Sequence, residues 1–172
     1  MELMDIMLRR RSIREYTDEK IPDEKLDKIL NAGLLAPTSR NRKPCEFIVV
    51  QDKHILEKLS YAKKSGSSMI KNCNTAIVVV ADMEKADTWI EDSSIALTYM
   101  DLMAASLDIG SCWCQIHLRY SADDIESEKV VREILSLEDN YRIVGILSLG
   151  NIAKRLESHS FDEIDKDKVK KY

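Results

Sequence analysis

The chain contains few aromatic residues and no long apolar run, and both absences exclude classes of function. Only 6% of its 172 residues are Phe, Trp or Tyr, too few for the stacking surfaces that bind single-stranded nucleic acid. No apolar stretch approaches the roughly 20 residues that cross a bilayer, so we expect no contact with a membrane. The net charge of −4 also argues against a nucleic-acid partner, because such partners usually require a basic surface.

Glycine is scarce as well, and the familiar glycine-rich loops are missing. The five glycines form neither the G-x-G-x-x-G dinucleotide loop nor the G-x-x-x-x-G-K-[ST] phosphate loop. No G-x-S-x-G elbow holds a nucleophilic serine, and the three histidines lie far apart in the sequence. The sequence therefore indicates neither of these nucleotide-binding loops nor a serine hydrolase.

The four cysteines predict neither a disulfide framework nor a metal site. Cys112 and Cys114 would share one face of a strand, but zinc sites of this kind usually need a second pair of ligands. We interpret them as small buried residues and expect no metal. Reduced cysteines are typical of the cytoplasm, and the acidic Glu2 and Asp5 are unlike a secretory leader, so we expect a cytoplasmic protein.

Positive charge is concentrated at one bend near the start of the chain. The segment from Leu8 to Tyr16 reads L-R-R-R-S-I-R-E-Y. A guanidinium presents a planar fork of donors that fits phosphate oxygens, and a serine hydroxyl adds a neutral donor. In a mildly acidic chain this cluster favours a small bound anion over a nucleic acid. The alternative is a solvated helix end, where arginines suit the helix dipole.

The hydrophobic periodicity predicts alternating helices and strands in one domain with a tail. Asp52 is placed as the cap of the third helix and Ser121 as the cap of the fifth. Helices are predicted over residues 2–10, 23–36, 52–64, 87–107 and 121–135, and strands over 46–51, 76–81, 111–117 and 141–149.

The segment 87–107 is apolar nearly all the way round. A helix with so little polar surface must be covered on most of its sides. The chain offers too few other elements to do this within one small domain. We therefore expect a subunit interface to cover part of this helix.

A second polar segment, residues 36–44, reads A-P-T-S-R-N-R-K-P. It offers two hydroxyls and an amide between prolines that restrict the backbone, although ordinary turn residues are the alternative interpretation. Neither this loop nor the arginine segment supplies a general base, an activated nucleophile or a metal. An enzyme built on these two segments would take its chemistry from a bound organic cofactor.

Three blocks of the sequence together resemble the nitroreductase family of FMN-dependent oxidoreductases. They are R-R-S-I-R-E-Y near the start, A-P-T-S-R-N-R-K-P-C-E-F-I-V-V after the second helix, and L-D-I-G-S-C-W-C-Q-I after the long helix. The resemblance implies an α+β fold with three layers, α-β-α, and a mixed, mostly antiparallel central sheet. It also implies a homodimer with the long helix at its interface, an FMN-binding domain over residues 1–150, and an arm over 151–172 that reaches over the partner subunit.

The resemblance further implies which residues hold the FMN. Arg10, Arg11 and Ser12 would bind its phosphate and ribityl chain, with Arg14 toward the pyrimidine edge of the ring or the ribityl chain. The partner subunit would add the 37–41 loop. Beyond the four residues already named, the implied FMN-binding residues are Pro37, Thr38, Ser39, Asn41, Trp113, Cys114, Gln115 and His159. Lys154 and Arg155 are alternatives to His159 as the basic group in the arm. No side chain is expected to act as a catalytic residue, because the flavin carries the chemistry.

The activity that the resemblance implies is hydride transfer from NADH or NADPH, through flavin N5, to a small-molecule acceptor such as a nitroaromatic or a quinone. The mechanism would be ping-pong. An arginine near N1 would stabilise the negative charge of the reduced flavin. Two alternatives stay open: a flavin-binding carrier or sensor without turnover, suggested by the missing helical insertion that often covers the flavin, and a flavin-fragmenting or dehalogenating relative.

Overall fold

The computed structural model describes residues 2–172. Within this range the chain forms five α-helices and four β-strands, which together give an α+β fold. Met1, with which the expected domain begins, lies outside the described residues. The elements are α1 (Leu3–Arg9), α2 (Asp23–Leu34), β1 (Cys45–Val50), α3 (Lys53–Ser60), β2 (Thr75–Asp82), α4 (Trp89–Ser106), β3 (Gly110–Gln115), α5 (Ser127–Leu135) and β4 (Tyr141–Gly150). Short 3₁₀ turns lie at Ser39–Asn41, Ser68–Asn72, Phe161–Glu163 and Lys166–Lys168.

The four strands form one sheet in the order β1-β2-β4-β3, and each neighbouring pair is antiparallel. Strand β2 lies in the interior of the sheet and all its residues are buried, because a β-branched run without polar alternation fits only where both faces are covered. The predicted buried strand at 76–81 is confirmed. Within residues 2–172, parallel pairing is limited to a bridge between Ser12 and Ser111.

Helices cover both faces of the sheet. On one face, α2 and α4 pack through Ile29, Leu97 and Met100. On the other, α3 and α5 pack through residues that include Leu56 and Val131. Each fully buried side chain of this size contributes roughly 1.5–3 kcal/mol, so both layers are strongly held. The prediction of an α+β fold with three layers and a mostly antiparallel sheet is confirmed.

Helix α4 buries one face against the sheet and leaves another face without cover from its own chain. Ile95 and Leu102 are half-buried and Tyr99 is 42% exposed. Their spacing of i, i+4 and i+7 places all three on one side of the helix. No helix in the described part of the chain is long and apolar enough to cross a membrane.

Helix α3 begins as predicted and ends earlier than predicted. The Asp52 carboxylate accepts the backbone N–H groups of His54 and Ile55 at 2.9 and 3.0 Å, which confirms the predicted cap. The helix ends at Ser60 instead of Lys64. The Lys64 N–H, which would bind the Ser60 carbonyl in a longer helix, donates to the Tyr120 carbonyl at 2.9 Å. The Ser67 hydroxyl donates to the Ser60 carbonyl at 2.7 Å. That carbonyl is therefore engaged by a side chain at the helix end.

The prediction that Ser121 caps the fifth helix is wrong. The Ser121 hydroxyl accepts the N–H groups of Asp123 and Ile125, but these bonds close a local turn. Asp124 has a left-handed backbone with φ 58°, which a continuing helix does not tolerate. Helix α5 begins only at Ser127.

A buried ionic cluster ties α5 to the ends of β3 and β4. The Glu128 carboxylate, 7% exposed, accepts two hydrogen bonds from Arg142, one from His117 and one from the Ile143 N–H. Burial raises the pKa of this carboxyl, but the hydrogen bonds from Arg142 and His117 outweigh that effect and lower the pKa to about 2. The ionised carboxylate is thus the stable form at neutral pH.

We expect Glu128→Gln to lower the free energy of unfolding at pH 7 by about 3 to 4 kcal/mol, because the pKa falls from 4.5 to about 2 on folding and each pKa unit is worth about 1.4 kcal/mol. A carboxyl whose pKa is lower in the folded than in the unfolded protein contributes its full stabilisation at pH values above the unfolded pKa. This contribution is lost as the pH falls toward the folded pKa. The deficit should therefore shrink as the pH falls from 4.5 toward 2. Urea unfolding across this range measures it, and the exposed Glu133→Gln on the same helix is the control. A deficit that does not change with pH would contradict the assignment.

Candidate functional site

The arginine segment is attached to the start of strand β3. Ser12 pairs with Ser111 in the parallel bridge, and the Ile13 N–H donates to the Ser111 carbonyl at 2.8 Å. The Tyr16 hydroxyl donates to the Ile13 carbonyl at 2.7 Å and lies 2.8 Å from the Ser148 hydroxyl. Burial raises the pKa of Tyr16, so this phenol is neutral. The segment therefore continues the sheet beyond β3 and has a fixed position.

A cavity of about 110 Å³ lies beside this segment and is lined by four arginines. They are Arg9, Arg10, Arg11 and Arg155, and the lining also includes Asp108 and Ser111. Guanidinium groups around a small opening favour a bound anion such as a phosphate. The structure places Arg10 and Arg11 at the same cavity, and their binding of an anion stays a prediction.

Carboxylates and carbonyls hold these arginines in place. The Arg10 guanidinium lies 3.6 Å from the Asp101 carboxylate, and Arg11 donates to the main-chain carbonyl of Glu157. Asp108 is bound by Arg9 at 3.3 Å and by both terminal nitrogens of Arg155. Arg14 donates to the Ser12 carbonyl at 3.2 Å. Each side chain is therefore oriented before any ligand arrives.

The free edge of β3 is the second component of the site. In an antiparallel pair, alternate residues point their backbone N–H and C=O toward the partner strand. The Ser111 carbonyl points away from β4, since it binds Ile13, and the same alternation turns the N–H groups of Trp113 and Gln115 outward. The side chains of these two residues bond each other at 3.1 Å. This edge can donate backbone hydrogen bonds to a ligand that lies beside it.

Cys114 lies between Trp113 and Gln115, so the same alternation points its backbone N–H and C=O toward β4 and away from the free edge. Its side chain is buried, with the sulfur 3.5 Å from the Gly66 carbonyl. Burial raises the pKa of the thiol to about 11, so the thiol is protonated at neutral pH and is not activated as a nucleophile.

The 36–44 loop adopts a constrained conformation. Arg40, Asn41 and Lys43 all have left-handed backbones, with φ values of 52°, 55° and 49°, which are uncommon for residues other than glycine. The Thr38 hydroxyl accepts the Lys43 N–H at 3.0 Å. The Asp92 carboxylate accepts the Ser39 N–H at 2.9 Å. Pro37 precedes this hydrogen-bonded turn, so all four predicted loop residues lie in or next to it.

Within one protomer, the loop and the arginine segment are attached to opposite flanks of α4. The loop contacts Asp92, whereas the arginine segment contacts Asp101, nine residues further along the helix. Nine residues correspond to about 14 Å along the axis and a rotation of about 180°. One protomer therefore does not bring the two groups of predicted residues together.

The arm after β4 begins along its own subunit. Ile152 pairs with Tyr16, and the backbone N–H of His159 donates to the Leu8 carbonyl at 2.8 Å. The His159 ring lies 2.7 Å from the Glu163 carboxylate. Of the two alternatives to His159, Lys154 lies 3.8 Å from Glu15 and Arg155 lines the arginine cavity. Arg155 is therefore the basic side chain of the arm that lies at the cavity.

Sequence reasoning missed the three aspartates Asp92, Asp101 and Asp108. Two of them lie in α4, where most residues are apolar, and a carboxylate on a helix that packs against the core is a signal that could have been used. Burial raises the pKa of Asp101, which the Ser111 hydroxyl and Arg10 partly counteract. Bonding to Arg155 holds the pKa of Asp108 below its usual value.

Comparison with known proteins gives one consistent family. The model of the nitroreductase family matches residues 7–74 and 61–151. A protein of Archaeoglobus fulgidus, provisionally named an NADH dehydrogenase/NAD(P)H nitroreductase, is 39% identical over 153 residues, which cover 87% of this chain and 84% of that protein.

Solved structures give the same result. An FMN-dependent nitroreductase from Clostridium difficile R20291 is similar with a TM-score of 0.95 and 43% identity, covering 97% of each chain. A provisionally named nitroreductase from Desulfovibrio desulfuricans, solved in complex with FMN, has a TM-score of 0.78 and 24% identity and covers 98% of this chain and 94% of that one. At this lower identity the second likeness concerns the fold alone.

We expect Tyr16→Phe to lower the free energy of unfolding by about 1 kcal/mol, because the Ile13 carbonyl and the Ser148 hydroxyl lose a partner in a largely buried position. Urea unfolding should show a lower midpoint with an unchanged slope. Tyr61→Phe, at a position that is 64% exposed, is the control and should leave the midpoint in place. Equal midpoints for Tyr16→Phe and wild type would contradict the role of this hydroxyl.

Proposed function

The chain belongs to the nitroreductase family, and we propose that it is an FMN-dependent oxidoreductase that takes electrons from NADH or NADPH and passes them to a small-molecule acceptor such as a nitroaromatic or a quinone. The observation that carries this proposal is the arginine-lined cavity at the start of β3, the strand whose Trp113 and Gln115 N–H groups point outward. The similarity to an FMN-dependent nitroreductase over nearly the whole chain supports it.

The residues present fit FMN. A dianionic phosphate matches the cavity formed by Arg10, Arg11 and Arg155, because guanidinium groups bind phosphate oxygens in pairs. The edge of β3 would lie along the flavin ring, with the N–H groups of Trp113 and Gln115 as donors. His159 and Lys154 remain candidates for a further contact to the phosphate.

The bound cofactor would supply hydride transfer at its N5 atom, which no side chain of this chain can perform. The protein's own residues would bind, orient and polarise. A backbone N–H from β3 would fix the position of the reacting atom, and Arg14 would place a positive charge near the pyrimidine edge or the ribityl chain. The reductant and the acceptor would use the same space in turn, which is a ping-pong mechanism.

We also propose that the site is shared between two copies of this chain. The arginine segment and the 36–44 loop lie on opposite flanks of α4 in one protomer, so a single FMN would contact the arginine segment of one subunit and the loop of the other. The uncovered stripe of Ile95, Tyr99 and Leu102 on α4 would form the centre of the interface. Obligate dimers usually bury more than about 2,000 Å². Residues 160–172, which are exposed, would reach over the partner.

The side chains of the proposed site bear on which kind of acceptor would react there. The neutral edge of β3 and the cationic cavity contain no side chain that protonates or attacks a substrate, which favours a small acceptor that reacts with the cofactor directly.

All four cysteines are free thiols, and this supports a location in the cytoplasm.

The purified protein is expected to bind FMN, and the visible flavin absorbance should bleach when NADH or NADPH is added without oxygen. Arg11→Ala should weaken FMN binding by about 10- to 100-fold, because a charge-assisted hydrogen bond is worth about 1.5–3 kcal/mol. Titration of the apoprotein with FMN, followed by flavin fluorescence, measures the affinity. Arg119→Ala, at an exposed arginine outside the cavity, is the matched control.

The outcomes of this experiment separate the alternatives. A protein that ignores added FMN would contradict the proposed function. Stable FMN binding without bleaching by either nicotinamide would favour a carrier or sensor. Loss of intact flavin or release of halide during aerobic turnover would favour the flavin-fragmenting or dehalogenating alternative.

We expect Tyr99→Lys to convert the dimer to monomers and to reduce FMN binding with it, because a buried unpaired ammonium in an apolar interface is strongly unfavourable. Analytical ultracentrifugation of wild type and variant measures the change in mass. Tyr61→Lys is the control, since Tyr61 is exposed at the end of α3 on the other side of the sheet. A variant that stays dimeric would show that α4 does not form the interface.

A further inference from the structure

Two carboxylates on α4 are held in the protein interior and both bind segments of the proposed site. Asp92 is 2% exposed, and the Asp101 side chain is 14% exposed. The rest of the buried face of α4 is apolar or small, including Leu97, Met100 and Ala104. Removing a carboxylate from water is unfavourable unless hydrogen bonds or charges replace the water. The contacts of these two residues therefore indicate what they hold.

Asp92 holds the 36–44 loop. One carboxylate oxygen accepts the Ser39 N–H at 2.9 Å, and the other accepts the Thr88 hydroxyl at 3.1 Å. The salt bridges found in residues 2–172 include none to Asp92. The position of Asp92 in the first turn of α4 adds a favourable interaction with the helix dipole. The Ser39 N–H is thus one of the two donors that bind the buried Asp92 side chain.

The loop needs such a contact because its backbone conformation is unfavourable by itself. Arg40, Asn41 and Lys43 are left-handed within four positions, and each such residue opposes the folded conformation. The backbone bond from Arg42 to Ser39 and the side-chain bond from Lys43 to Thr38 close the turn. Asp92 is the contact that attaches this closed turn to the helix.

Asp101 holds the arginine segment from the other flank of the helix. Its carboxylate accepts the Ser111 hydroxyl at 2.5 Å and lies 3.6 Å from the Arg10 guanidinium. Ser111 in turn pairs with Ser12 and binds the Ile13 N–H. The Asp101 carboxylate therefore orients Arg10 in the cavity and also Ser111, the strand residue to which the arginine segment is attached.

We propose that Asp92 and Asp101 are positioning residues that pre-organise the two halves of the FMN site, each carboxylate acting on a different site of the dimer. This inference rests on the proposed function. In one subunit, Asp101 supports the arginine segment of that subunit's own site, and Asp92 supports the loop that the subunit contributes to the other site. A binding site that is ordered in advance avoids the entropic cost of ordering it on binding.

This arrangement predicts complementation between two defective subunits. Asp92→Ala damages the loop and leaves the arginine segment intact, whereas Asp101→Ala does the reverse. In a mixed dimer, one site combines the intact arginine segment of the first subunit with the intact loop of the second. The other site combines both damaged segments. A mixed dimer should therefore contain one site of wild-type affinity and one severely weakened site.

The experiment uses full-length chains with two different affinity tags, co-expressed so that mixed dimers can be isolated. Equilibrium dialysis of the apoproteins measures the number and affinity of bound FMN molecules per dimer. Each variant homodimer is expected to bind FMN about tenfold or more weakly than wild type, because misplaced groups in a pre-organised site lose their contacts. The mixed dimer should bind one FMN per dimer with wild-type affinity.

Conservative variants separate positioning from loss of folding. Asp92→Asn retains an oxygen that accepts the Ser39 N–H, so it should bind FMN within about threefold of wild type, as expected when a hydrogen bond is kept and only a charge is lost. Asp101→Asn keeps the bond to Ser111 but loses the attraction to Arg10, and its affinity should lie between wild type and Asp101→Ala. Asp27→Ala, at an exposed aspartate of α2, controls for loss of a negative charge.

The outcomes distinguish this inference from the proposed function. If wild type binds FMN and either alanine homodimer binds it equally well, the positioning role is wrong and the function stands. If a folded mixed dimer has no site of wild-type affinity, the assignment of the two carboxylates to different sites is wrong. If wild type binds no FMN, the proposed function fails and this inference fails with it.

Discussion

The packing of α4 on the antiparallel sheet is the contact on which the rest of the site depends. Leu97, Met100 and Ala104 bury one face of the helix, and this fixes the rotation of the helix about its axis. Once the rotation is fixed, Asp92 and Asp101 project from opposite flanks, and the stripe that contains Tyr99 faces away from the sheet. The positions of both polar segments and of the uncovered apolar surface follow from one hydrophobic contact.

Local charge pairing lets an acidic protein keep a strongly positive cavity. The arginines around the cavity would repel one another if their charges were not balanced. Asp108 in the cavity lining and the more deeply buried Asp101 provide that balance. Because several of these groups are partly buried, the pairs are screened less by salt than surface pairs are. Arg11 is bound by the neutral Glu157 carbonyl, so it keeps its full charge for an anionic ligand.

Agreement between sequence and structure is best where the local pattern and the tertiary environment favour the same conformation. The buried β2, the Asp52 cap and the long α4 were each predictable, because a continuous apolar run, a capping side chain and helical periodicity do not depend on distant residues. The errors lie where polar side chains compete for backbone groups. The Ser121 hydroxyl closes a turn instead of starting a helix. The Ser67 hydroxyl binds the carbonyl of Ser60, the last residue of α3, where the prediction continued the helix. Both outcomes depend on how the surrounding chain folds.

The sequence by itself determined the order of the elements, the chemistry of the arginine segment and of the polar loop, and the family resemblance that connects them to a flavin. Only the tertiary structure decided that Ser12 is attached to β3, that Trp113 and Gln115 turn their N–H groups outward, and that α4 separates the loop from the arginines within a protomer. The physical reason is that residue type and spacing are local properties. Which carboxylate meets which backbone group is instead set by long-range packing of a helix on a sheet.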